Sequence, residues 1–186
     1  MSDVYRKLRG TLRCLLSNLH DWELKNSVDY EDLPKVDQYA LYQLATLVDT
    51  VEQGFESFQF YHFFQQVQQF VVVDLSNFYF DTAKDRLYVG YTRRSCQTVL
   101  ASHLLCLVSA IAPVSPHMAE DVWQHLPFPY TSDSVSSTET VLGALWPKVD
   151  NSWQSFSNED LKFWTTLMQD QDQDSIRGIG DLGCSI

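Results

Sequence analysis

Apolar positions along the first twenty residues fall on a helical rather than an alternating period. At 100° per residue Tyr5, Leu8, Leu12, Leu15, Leu16 and Leu19 share one side of a helix, with Arg6, Arg9 and Arg13 within about 60° of one another beside them. Ser2 and Asp3 are natural caps at its start, and the polar stretch from Asn26 to Lys35, closed by Leu33-Pro34, reads as a loop. The pattern resumes with Asp37 as a cap, followed by Leu41, Leu44, Val48, Val51, Phe55 and Phe58, which predict a helix to the region of Ser57-Phe58-Gln59. Phe64, Val67, Val71, Leu75 and Phe78 carry a third helix from Phe60 to Tyr79. Val71-Val72-Val73 alone favours a strand, but the length of the segment favours a helix.

A short basic connection, Lys84 to Arg94, leads to a helix with Val99, Leu100, Leu104, Leu107, Val108 and Ile111, which Pro113 ends. A shorter helix follows from Pro116 to Leu126. Tyr130 to Glu139 is a Ser/Thr-rich loop, and a last helical piece starts at Ser157 with Asp160 three residues on. Beyond Met168 the apolar period dissolves into polar repetition, which predicts a disordered tail. The expected fold is all-α, a bundle of five or six helices.

Composition supports a packed domain: 186 residues, 45% apolar, 20% charged. Four dispersed cysteines with no C-x-x-C suggest neither a disulfide framework nor a zinc knuckle. No uninterrupted apolar run reaches the ~18 residues of a membrane helix, and no secretory h-region precedes a polar break. The net charge of −11 disfavours a general nucleic-acid coat, yet it is uneven. Residues 1–20 sum to +3, residues 84–94 to +3 again, and the remainder to −17. Two basic islands on an acidic body suit phosphate binding, although on charge alone ordinary solvated helix faces are the stronger reading; Arg6, Lys7, Arg9, Arg13, Lys84 and Arg86 are the candidate phosphate contacts. Tyr88 and Trp123 are candidates for stacking on splayed bases, Trp123 equally for the core.

Other chemistry is poorly represented. Gly178, Gly180 and Gly183 spell G-x-G-x-x-G, but no strand precedes them and no helix follows to hold a pyrophosphate. His117, Asp121 and His125 at i, i+4, i+8 could share a helix face as metal ligands; an ordinary polar face is the stronger reading, and no metal is expected. His20, His62 and His103 are isolated, and no serine, cysteine or lysine stands in a recognisable nucleophile motif.

Longer strings carry a family resemblance. They are Asp3-Val4-Tyr5-Arg6-Lys7-Leu8-Arg9 with Leu15 to Leu19, Asp37-Gln38-Tyr39-Ala40-Leu41, Val73-Asp74-Leu75-Ser76, Lys84-Asp85-Arg86-Leu87-Tyr88, Arg93-Arg94-Ser95-Cys96-Gln97-Thr98, Ala119-Glu120-Asp121-Val122-Trp123 and Trp146-Pro147. In this order they resemble the anticodon-binding helical domain of class I aminoacyl-tRNA synthetases, most closely the isoleucyl type of bacteria and organelles, over residues 2–164. The expected domains are therefore that bundle, 2–164, and a tail, 165–186.

The resemblance implies a module that holds the anticodon arm of tRNA(Ile), with no membrane and no DNA as partner. The family's His-Ile-Gly-His-like and Lys-Met-Ser-Lys-Ser-like strings are absent here. No cofactor is therefore expected in this chain, which alone should be inactive. ATP and isoleucine would be bound by a catalytic domain expected upstream, itself a partner if present. The implied compartment is cytoplasmic, or mitochondrial or chloroplast in a eukaryote. Gly10 stands where the family often has Asn, the step from Tyr88 to Arg93 is short, and nothing after Trp164 matches the family's long charged helix. The alternative is an acidic helical interaction module or a non-functional gene fragment.

Overall fold

A computed structural model describes residues 2–88, 92–129, 140–144, 146, 149–156 and 160–168. The chain divides into a unit of Met1–Gln154 and a second of Ser155–Ile186. The first holds six α-helices: α1 (Ser2–Asn18), α2 (Lys35–Glu56), α3 (Phe60–Gln69), α4 (Phe80–Tyr88), α5 (Arg93–Ile111) and α6 (Pro116–Gln124). In the second, residues 160–168 are helical. No strand occurs among the described residues, as the helical periods predict.

Leucine spacing builds α1: Leu8, Leu12, Leu15 and Leu19 are buried, whereas Tyr5, expected with them, is 48% exposed. α5 is the central helix, packed against α1, α2, α4 and α6. By length and mean hydropathy (1.2) it could cross a membrane, but it lies within the bundle and buries Ser95, Gln97, Thr98 and His103 along with its apolar residues. Pro116 opens α6 in its first turn, where a missing N–H costs nothing.

Three expectations are corrected. Asp37 does not cap α2. Pro34 precedes the first turn, and Asp37 lies inside the helix, fully buried. Its angle explains this, because at 100° per residue Asp37 points with Leu41, Leu44 and Val48 toward the core.

Phe58 is not core. α2 stops at Glu56, and Phe58 is 79% exposed with φ 57°. Its N–H donates to the Phe55 carbonyl (3.1 Å) and the Gln59 N–H to the Gly54 carbonyl (2.9 Å), the two bonds of a Schellman motif. Phe58 thus fills the left-handed position that glycine usually takes, at a cost of about 1 kcal/mol.

The segment from Lys84 to Tyr88 is helix α4, not a connection, and Arg93 and Arg94 open α5. Trp123 is buried core. The loop expected at 130–139, the residues around Ser157 and the tail after Met168, with the Gly178 motif, lie outside the described residues.

Between α3 and α4 runs a π-helical segment, Phe70–Tyr79, which makes residues 60–88 one continuous helical rod. Phe63, Val67, Val71, Leu75, Tyr79, Ala83 and Leu87 are all buried, each four residues after the last. On pure α geometry every step of four overshoots a turn by ~40°, so six steps would carry this stripe ~240° around the rod and off the core. The wider i→i+5 turn makes a step of four fall short instead, which pulls the stripe back.

Candidate nucleic-acid interface

The buried face of α1 fixes where its cations point. Arg6, Lys7, Arg9 and Arg13 are all exposed. Arg6, Arg9 and Arg13 form one row, and Lys7 stands apart beside a groove of about 160 Å³ lined by Val4, Leu8, Phe64, Val67 and Val71. Arg6 lies 3.4 Å from Asp3, with both side chains more than three-quarters exposed, a pairing worth little in water. Lys7, Arg9 and Arg13 have no ion pair among the described residues.

Lys84 lies on the exposed face of α4, and its ammonium donates to Asp81 at 2.6 Å, which raises its pKa. Tyr88, at the end of that helix, is 72% exposed.

Arg86 is placed differently from the other five. Its Nη1 and Nη2 donate to the two carboxylate oxygens of Asp37 at 2.9 and 2.8 Å, and the Tyr79 hydroxyl donates to Asp37 Oδ1 at 2.9 Å. The planar fork of arginine suits this two-point contact, which a lysine could not reproduce. Burial and the adjacent carboxylate push the Tyr79 phenol well above its usual range. Burial, and then Asp37, push the nearby Cys96 thiol up to about 11; burial takes Cys106 to about 12, so both stay protonated at neutral pH. This buried cluster ties α2 to α4 and the π segment.

A second cluster fixes the other basic island. Arg93 donates from Nη2 to Asp21 Oδ1 (2.9 Å) and from Nη1 to the Leu87 carbonyl (2.7 Å). Arg94 donates to the Asp21 carbonyl (2.8 Å) and to Gln97 Oε1 (2.9 Å), while Gln97 Nε2 donates to the Asn18 carbonyl and to Asp21 Oδ1. The Arg93 hydrogen bond holds the Asp21 carboxyl down at about 2. The ends of α1 and α4 and the start of α5 are thereby joined.

Neither cluster was anticipated from the sequence. The core-facing angle of Asp37 was the available signal for the first; the second joins residues more than seventy positions apart and left no local trace. His103 is fully buried between the rings of Phe70 and Tyr79, each centroid 5.7 Å away. Its Nδ1 contacts the Val99 carbonyl at 2.8 Å, so that nitrogen carries the proton and donates. Similarly His125 Nδ1 meets the Asp121 carbonyl at 2.6 Å, and no cluster of metal-ligating side chains occurs among the described residues.

A helical bundle that sets a row of arginines on one solvent face and ties Arg86, Arg93 and Arg94 to carboxylates of its own frame has the makings of a nucleic-acid-binding domain. The chain belongs to the anticodon-binding domain family of tRNA ligases, whose pattern matches residues 37–180; α1 lies ahead of that match. It is 55% identical over 173 residues to the chloroplastic/mitochondrial isoleucine–tRNA ligase of Arabidopsis thaliana, an alignment covering 91% of this chain and 16% of that protein. With the isoleucine–tRNA ligase of Thermosynechococcus vestitus it shares 52% over 176 residues, covering 91% and 17%. With that of Synechococcus it shares 50% over 158 residues, covering 82% and 16%. The chain spans about a sixth of the length of the curated relatives it matches.

Proposed function

We propose that the chain holds the anticodon arm of tRNA(Ile) on behalf of an isoleucine–tRNA ligase, with Arg6, Arg9 and Arg13 as its main phosphate contacts and Lys7 and Lys84 as further ones. The observation that carries this reading is the arginine row of α1, exposed opposite a buried leucine face and free of strong internal pairing. Such contacts position RNA without reading its bases. Tyr88, exposed on the same α4 as Lys84, offers a stacking surface for an unpaired base. Arg86 serves the interface indirectly, by fixing α4 to Asp37. ATP and isoleucine belong to the catalytic part of such a ligase, and the similarity to a chloroplastic/mitochondrial enzyme supports an organellar setting.

Titration of tRNA(Ile) into the protein at several salt concentrations tests the reading. Affinity is expected to fall steeply with salt, and replacing Arg6, Arg9 and Arg13 by Ala should weaken binding at least tenfold and flatten the log–log salt slope by about 2 to 3. An unchanged slope would remove α1 from the interface. Absence of any salt-dependent tRNA binding would favour an acidic protein-interaction module.

A further inference from the structure

The tip where α2 turns into α3 breaks three local preferences in one place. Phe58 occupies the left-handed position of the Schellman turn with its ring 79% exposed. Phe60 and Tyr61 follow at 50% and 77% exposure, and the rings of Phe58 and Phe60 meet edge to face at 6.3 Å. Glu52 and Glu56, both exposed, lie one turn apart at the C-terminal end of α2, where the helix dipole is negative and cations are favoured; that last turn has no basic residue. Phe55 supports the patch from beneath through its contacts with Phe60 and Phe63. Local rules broken together and uncompensated mark a surface kept for binding.

Charge identifies the occupant. Between residues 36 and 83 there is no Lys or Arg and His62 is the only basic side chain; of the six carboxylates there, Asp49, Glu52 and Glu56 are exposed on the second half of α2. A nucleic-acid backbone would meet repulsion from Asp49, Glu52 and Glu56, whereas a guanidinium or ammonium would find aromatic faces, two carboxylates and the negative end of a helix together. We infer that this tip docks a protein segment carrying Arg or Lys among apolar residues, the cation over Phe58 or Tyr61 and within reach of Glu52 and Glu56. The proposal rests on residues other than the arginine row of α1, so it stands whether or not that row binds tRNA.

The probe is an end-capped peptide of four Arg-Leu-Ala repeats, titrated into the isotopically labelled protein, with its Gln-Leu-Ala counterpart and single-stranded oligouridine alongside. Amide shifts are expected at Glu52, Glu56, Phe58, Phe60 and Tyr61 with the arginine peptide only. Phe58→Gly and Tyr61→Ala should each weaken it roughly fivefold, and Glu52→Gln with Glu56→Gln at least as much. Because glycine relieves the left-handed strain, Phe58→Gly should also raise the melting temperature, which separates lost docking from lost folding. The proposal is overturned if both aromatic variants bind the peptide within about twofold of the parent, which would mean diffuse charge attraction. It is also overturned if oligouridine shifts the same amides as strongly as the peptide.

Discussion

Asp37 anchors one of the two internal polar clusters. A carboxylate wholly removed from water is tolerable only with its partners in place, and here Arg86 supplies two donors and Tyr79 a third. Arg86 and Arg9, alike in charge, therefore differ sharply in what their loss would do. Arg86→Ala should destabilise the fold by about 3–5 kcal/mol, because it strands a buried charge. Arg9→Ala, on an exposed face, should stay within about 0.5 kcal/mol. Urea unfolding of the two variants compares them directly; equal midpoints would mean that the clamp contributes nothing. At this scale the sequence was only half legible. The basic character of both residues was plain, but the partner of Arg86 lies 49 positions away, and an Asp at the start of an apolar period looks locally like a cap. Phe58 misled for a related reason: its spacing continued the apolar period, but the chain had already left the helix at Glu56.

Most helix positions were readable from period and punctuation, since Pro34, Pro113 and Pro116 bound the elements and leucine spacing fills them, but α4 was not, its charged residues reading as a connection. Nor was the π segment. A run of buried residues at strict steps of four, from Phe63 to Leu87, is too slow a period for an α-helix and would have signalled it. Its function is rotational: it brings Tyr79 and Arg86 round to Asp37 on the same side of the rod as Phe63 and Val67. Deleting Val73, a half-buried residue of that segment, should restore ordinary helical winding and turn everything downstream by ~100°. The expected result is loss of the Asp37 clamp and a destabilisation of about 3 kcal/mol or more, measured as a lower urea midpoint. A deletion variant of parental stability would show that the wound-back stripe is not required.

At the scale of the molecule, two of the titrations that weaken the fold in acid are those of His103 and Asp21. The buried imidazole of His103 is held down to about 4 by desolvation, against about 6.5 in the unfolded chain. The unfolded state therefore takes up a proton that the native state refuses, and stability falls as pH drops from about 6.5 to about 4, by about 3 kcal/mol at most. Asp21 acts in the next window. Its lowered carboxyl contributes stability above about 4 that is lost as pH falls toward about 2, when the Arg93 contact fails. Urea midpoints at pH 7, 5.5 and 4.5 should decline in the parent protein, and His103→Leu should flatten that decline whatever its absolute stability. A parental slope in His103→Leu would mean that another group takes up the proton.

The central place of α5 also bears on how the chain is made. Its packing partners α1, α2 and α4 all precede it, so the part of each apolar face that α5 covers stays open until α5 has been synthesised. At roughly 5–20 residues per second, the leucine stripe of α1 waits on the order of 5–20 s for its cover. Through that interval the side of α1 that α5 will cover faces the surroundings of the nascent chain, and the arginines along its flank favour water over aggregation.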